Sequence, residues 1–178
     1  MAKIRKAIAY RRLERPYTRI SKFREKNYVR VRPHSVISRF DNGETQKDVY
    51  QFPLVLDLIA KKELQIRHNS IESARQTCNR VLEKEIGKFG YHLKIRLFPH
   101  HILRENPLAS GAGADRMSTG MQRSFGKPIS SAAQVHEGQP LLTLGLLKDK
   151  AEVGKKALKR AASKFPCHCQ IVLGKSRL

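Results

Sequence analysis

Three short runs of this chain carry residue types that can do chemistry. His100 and His101 stand beside Arg104 with His92 upstream, a set that offers an acid, a base and a phosphate-binding cation. Cleaving an RNA phosphodiester would require both adjacent rings at one reacting atom. Neighbouring residues of an extended segment point to opposite sides, so the two imidazoles are expected to diverge, and no carboxylate pair is placed to orient either. Contact between imidazole and RNA is the simpler role. Cys167-His168-Cys169, with Cys78 far upstream, suggests zinc. Structural zinc sites, however, space their cysteine pairs by about two to four residues in a tight turn. Here the triplet lies in an apolar, strand-like run where Cys167 and Cys169 share a face, so both are expected as core residues without metal. The third run, Gly111-Ala112-Gly113-Ala114-Asp115-Arg116, lacks the Lys-Ser/Thr of a phosphate-binding loop and the Gly-x-Gly-x-x-Gly spacing. Two readings stay open: a flexible hairpin, or a mobile probe carrying Arg116, Arg123 and Lys127 to an RNA surface. Binding, without catalytic residues or a cofactor, is the expected chemistry.

The charge supports that expectation. Among 178 residues, 36 Lys+Arg against 15 Asp+Glu leave a formal charge of +21. Residues 1–32 hold twelve basic and two acidic residues, and residues 141–178 hold nine and two, whereas residues 33–60 are net −2. Such a chain repels itself until its charges meet a polyanion. A membrane surface would call for an amphipathic helix with bulky apolar anchors. Instead there is no Trp, and Tyr10, Tyr17 and Phe23 lie among arginines without helical spacing. That interleaving suits phosphate contacts with base stacking. The arm residues Arg5, Lys6, Tyr10, Arg11, Arg12, Arg15, Tyr17, Arg19, Lys22 and Arg24 are the first candidates for RNA contact. His92, Lys94, Arg96, His100, His101 and Arg104 form a second group downstream.

The hydrophobic fraction of 40% matches a globular domain, and the length suits one domain. No apolar run approaches the ~18 residues of a membrane span. An odd count of three cysteines argues against a disulfide framework. The expectation is a soluble, intracellular protein with no membrane or small-molecule partner. The first two dozen residues are also Arg-rich and acid-poor like an organelle transit peptide, but Arg15-Pro16-Tyr17-Thr18 would interrupt its helix and serines are scarce.

The elements that would position these residues follow from periodicity. Val36–Phe40 has the look of a short strand before an Asp41-Asn42-Gly43 turn. Val49–Ala60 reads as a buried strand, with a short helix as the alternative, and Leu64–Arg67 as another strand. Asn69 and Glu72 match a capping box for a helix whose stripe is Ile71, Ala74, Cys78, Val81, Leu82 and Ile86, closed by Gly87 and Gly90. Residues 91–98 alternate as a half-buried strand with a basic outer face. From Pro99 to Ser131 the pattern lapses into a long irregular loop with one helical turn near Asp115–Met121, a length that is usually functional or disordered. Ala132–Val135, a turn at Gly138–Pro140 and a strand Leu141–Leu147 follow. Asp149 and Glu152 would cap a second helix with stripe Val153, Ala157, Leu158, Ala161 and Phe165, and Cys167–Leu173 would be the last strand. The sum is a compact α+β domain, one mixed sheet with two main helices, a basic N-terminal extension over 1–32 and an irregular glycine-rich loop over 107–131.

Several of these runs carry a resemblance. Tyr10-Arg11-Arg12 with Pro16-Tyr17-Thr18, Gln65-Ile66-Arg67-His68 leading to Glu72-Ser73-Ala74-Arg75, and Tyr91–Arg96 resemble the large-subunit ribosomal protein family called L-ten-e, the counterpart of bacterial L-sixteen. Pro99–Pro107, Gly111–Arg116, Gly120-Met121 and Phe125-Gly126-Lys127-Pro128 are its most specific part, and Arg67-His68 and His100-His101 look archaeal. The resemblance covers nearly the whole chain. It implies a hammerhead-like strand arrangement and a place on large-subunit rRNA among neighbouring ribosomal proteins, near the peptidyl transferase region and A-site tRNA. Gly111, Gly113, Asp115, Arg116, Arg123 and Lys127 would belong to an extension toward the catalytic centre. The chain departs from the family pattern at Gln122, Ser130 and Gln134, which lowers the charge there. An RNA-processing enzyme using His100 and His101, or a non-specific nucleic-acid-compacting protein, are the rival functions.

Overall fold

The computed structural model describes residues 5–174 apart from Tyr17, Thr18, Ile20 and Tyr28, so the reading of Tyr17 lies outside the described residues. Among the described residues the chain forms eight strands in two sheets, with two long helices and one helical turn. The strands are β1 (Asp41–Gly43), β2 (Leu54–Ala60), β3 (Leu64–Arg67), β4 (Tyr91–Ile95), β5 (His101–Glu105), β6 (Lys127–Val135), β7 (Pro140–Leu146) and β8 (Cys169–Leu173). The helices are α1 (His68–Glu85), α2 (Ala114–Met117) and α3 (Ala151–Ala162).

The larger sheet runs β1-β4-β7-β2-β8 and the smaller β3-β6-β5. Every pairing is antiparallel, so the expected single mixed sheet is replaced by two antiparallel ones. They meet at a corner. Chain leaving Ala60 reaches β3 within three residues, and chain leaving Val135 turns through 136–139 into β7. The Gly138 N–H donates to the Ala60 carbonyl at 2.9 Å, and the Ala60 N–H donates to the Gln139 carbonyl at 3.1 Å.

The core explains this layering. Strand β7 is buried from Leu141 through Leu146, as a central strand covered on both sides must be. Its leucines meet the predicted stripe of α1 (Ile71, Ala74, Cys78, Val81, Leu82) and that of α3 (Ala157, Leu158, Ala161) in one cluster. Gly154 lets α3 sit close to the sheet, since a Cβ there would lie 2.3 Å from Leu146 Cδ1.

Several expectations change. Val36–Phe40 is irregular, and Asp41–Gly43 is a strand rather than a turn, paired with Gly43 opposite His92. Residues 49–51 form one 3-10 turn before β2. Neither long helix has the expected side-chain cap: α1 starts after Arg67 and α3 after Lys150. Asn69 lies inside the first turn of α1, and Asp149 sits in a 3-10 turn before α3. The stretch from Pro99 to Ser131 holds β5 and the first half of β6, leaving 99–100 and 106–126 without strand. Cys167 lies at a bend ahead of β8.

Candidate nucleic-acid interface

The N-terminal arm is fastened by its backbone. The Gln65 N–H in β3 donates to the Arg11 carbonyl at 3.0 Å, and its side-chain amide donates to the carbonyls of Tyr10 and Arg12. Arg67 donates to the Arg5 carbonyl at 2.9 Å while its guanidinium lies 5.7 Å from the Tyr10 ring centroid. Gln134 of β6 donates to the Glu14 carbonyl at 2.6 Å. Because these bonds use the arm's carbonyls, Lys6, Arg11, Arg12 and Arg15 stay exposed, as do Arg19, Lys22 and Arg24 further on. Arg5 is also exposed but ion-pairs with Glu105, whose other oxygen accepts from the half-buried Tyr10 hydroxyl at 3.4 Å.

Beside the arm lies an aromatic ridge that sequence reasoning did not single out. The Phe98 ring stacks on Phe40 with centroids 5.5 Å apart and planes 17° from parallel, and the His100 ring lies 4.5 Å away on a tilt. Phe98 is 49% exposed. A cavity of about 370 Å³ on one side is lined by Pro16, Arg96, His100 and Gln134, and one of about 340 Å³ on the other by Arg32, His34, Phe98 and His100. An exposed aromatic flanked by cations is the arrangement that stacks unpaired bases while holding their phosphates. The alternation of 91–98 put Phe98 on the outer face, and that exposure was the available signal.

Other predicted residues go elsewhere. His100 is exposed and His101 is 2% exposed, so the two rings do diverge. Burial keeps His101 below the usual imidazole pKa, against the pull of Glu14. His92 is also buried, with its ring nitrogens 2.8 Å from the Lys47 carbonyl and 3.1 Å from Asp41 Oδ1, and Lys94 lies 4.0 Å from the same carboxylate. His92 and His101 are thus enclosed by the fold, and the strand's outer face is basic at the half-buried Lys94 and the exposed Arg96. Arg104 braces the loop instead: its guanidinium lies 3.7 Å from the Phe125 centroid and donates to the Phe125 carbonyl.

That loop carries Gly111, Gly113, Asp115 and Arg116 on exposed positions, and Lys127 is exposed at the start of β6. The side chain of Arg123 lies outside the described residues. Gly113 precedes α2 at a φ of 82°, which favours glycine. Two bonds close the loop on itself: Asn106 Nδ2 donates to the Gly120 carbonyl at 3.1 Å, and the Ala109 N–H donates to Ser118 Oγ at 3.0 Å. Met117 and Met121 are 84% and 81% exposed. Ser130 Oγ lies 3.1 Å from His68 Nε2, and Gln134 clamps the arm as above.

A second basic surface lies on α3, where Lys155, Lys156, Lys159 and Arg160 are exposed and Lys164 follows just beyond. Lys156 ion-pairs with Glu85 at 2.6 Å. The charge count of 141–178 was its sequence signal. Among the described residues no group of three or more His, Cys, Asp or Glu could hold a metal ion, and no helix is long and apolar enough to cross a membrane.

The family model described as Ribosomal protein L16p/L10e matches residues 14–172. "Large ribosomal subunit protein uL16" of Archaeoglobus fulgidus is 43% identical over 166 residues, spanning 93% of this chain and 90% of that protein. The proteins of the same name from Methanococcus aeolicus and Halobacterium salinarum are 41% and 39% identical, over 97% of this chain and 95% and 96% of theirs. With a match of this extent, the chain belongs to the L16p/L10e family of ribosomal proteins.

Proposed function

We propose that this protein is a structural constituent of the large ribosomal subunit, in the cytoplasm, that binds large-subunit rRNA and contributes no catalytic group. The observation that carries the reading is family membership over nearly the full chain, joined to an arm whose carbonyls are engaged by β3 and β6 while its cations are exposed. In this reading residues 1–32 act as a basic extension. Arg96, His100 and the Phe98 ridge continue its surface, and the cations offset repulsion where RNA segments converge. The two sheets with their helices correspond to the family's hammerhead-like strand arrangement. The loop over 107–131, with Arg116, Arg123 and Lys127, extends toward the peptidyl transferase region and A-site tRNA, and neighbouring ribosomal proteins complete the contacts.

Each phosphate neutralised releases counterions, so the logarithm of affinity falls with the logarithm of salt by roughly 0.7–0.9 per contact. Replacing Arg11 and Arg12 together by alanine is expected to weaken binding to large-subunit rRNA and to lower that slope by about 1.5. A filter-binding titration that returns the parent slope removes the arm from the RNA-contacting surface.

A further inference from the structure

The RNA-facing reading leaves one cluster of reactive groups unused. Pro166 and the bend at Cys167 bring Cys167 Sγ to 3.7 Å from Cys169 Sγ. The backbone around the pair is fixed: the Lys61 N–H donates to the His168 carbonyl at 3.1 Å, and Cys169 pairs with Ala60 at the start of edge strand β8. Neither thiol is sealed in the core. Both are half-buried, and Cys167 lines an open cavity of about 480 Å³ together with Arg11, Lys62 and His168.

From this juxtaposition we infer that Cys167 and Cys169 form a peroxide-reactive dithiol, with Cys167 as the attacking sulfur and Cys169 as the resolving one. The roles follow from the surroundings. The hydrogen bond from Cys169 and the nearby Arg11 cation favour the Cys167 thiolate, outweighing its partial burial, whereas the same pairing and burial hold Cys169 protonated. Cys167 attacks one oxygen of hydrogen peroxide; the S–O bond forms, the O–O bond breaks, and hydroxide leaves and takes up a proton to become water. The Cys169 sulfur then attacks the sulfenic acid; the S–S bond forms, the S–O bond breaks, and the hydroxyl departs as a second water with the Cys169 proton. Two thiols are oxidised by two electrons and one peroxide is reduced to two waters. Cys78 is an internal control, because it is fully buried and burial pushes its thiol up to about 12.

The test uses the reduced full-length chain. After brief exposure to hydrogen peroxide, thiols are blocked with N-ethylmaleimide and the digest is weighed. The expected product is an intrachain Cys167–Cys169 disulfide, two hydrogens lighter than the dithiol peptide, with Cys78 still reduced. Cys169→Ser is expected to accumulate a dimedone-reactive sulfenic acid on Cys167. Cys167→Ser is expected to oxidise about tenfold more slowly at Cys169, and Arg11→Gln to slow the parent reaction about twofold. Equal oxidation rates in the two serine variants overturn the assignment of roles. A parent chain that forms only disulfides between chains, or none, overturns the site itself.

Discussion

Glu72 illustrates how one side chain can be drawn away from the role its spacing suggests. Its place after Asn69 matches a capping box, yet its carboxylate accepts from Arg75 Nη2 at 2.7 Å and Nε at 2.9 Å, from Gln76 at 3.0 Å, and from the Ser38 hydroxyl and N–H at 3.3 and 3.4 Å. Arg75 also donates to Asn42 Oδ1 at 2.8 Å, so the pair ties α1 to β1 and to the segment before it. Capping-box logic assumes a free Glu, and no local spacing reports a partner three residues away that is itself anchored in another element. Arg75→Ala leaves a carboxylate that is 5% exposed without its cation, and about 3 kcal/mol of stability is expected to disappear in chemical denaturation. A loss below about 1 kcal/mol would mark the pair as peripheral. The acid response follows from the same groups. Burial together with Arg67 and His34 holds His68 below the usual imidazole value, and burial does the same for His101, so the unfolded chain binds these protons more tightly. Stability is therefore complete above about pH 6.5 and begins to fall below it. For Glu72, burial opposes ionisation, but the bonds from Arg75, Gln76 and Ser38 prevail and depress its pKa. A second loss is expected at lower pH, as that depressed carboxyl takes its proton, and Glu72→Gln should diminish this second step in a pH series of melting curves, leaving the share of Glu44 and Glu85, which Lys47 and Lys156 also hold low.

At the level of elements, the sequence is most legible where burial alone sets the pattern. Strand β3, the stripe of α1 and the buried run of β7 follow directly from apolar periodicity. Strands β5 and β6 do not, because the first half of β6 is polar, alternates between exposed and half-buried, and contains Pro128. Its strand character comes from pairing with β5 through a register shift between Leu103 and Arg104, a relation that only the folded partner supplies. The true loop is anchored at its base: Arg104 holds Phe125, and a Cβ on Gly126 would fall 2.8 Å from the Glu105 carbonyl carbon. Residues 110–122 lie beyond these anchors. Replacing them with a short Gly-Ser linker is expected to leave the melting temperature and rRNA affinity near the parent's while lowering polypeptide synthesis by reconstituted ribosomes. A collapse of the melting temperature would make the loop part of the core. Helix α3 carries the complementary prediction. If its outer lysines touch RNA, Lys155→Gln with Lys159→Gln should lower the salt slope by about 1.5. An unchanged slope would leave them as a solvated face.

Viewed as a whole, the molecule keeps its apolar mass beneath the two long helices, and the arm from Arg5 to Glu14 is fastened along the smaller sheet. The overall charge of +21 and its concentration at the two ends were legible from composition, and with them the class of partner. The division into two sheets was not, since three residues between β2 and β3 can turn a hairpin or a corner with equal economy of chain. The Phe98 ridge escaped for a similar reason: Phe40, Phe98 and Arg32 are brought together only by tertiary packing. On the proposed function, this surface recognises a particular folded RNA and does more than attract phosphate. The direct test is a salt titration of binding to large-subunit rRNA, run against an unrelated structured RNA of equal length. Both affinities are expected to fall as salt rises while the preference for large-subunit rRNA persists. Equal affinities that collapse together would contradict it and reduce the surface to non-specific charge.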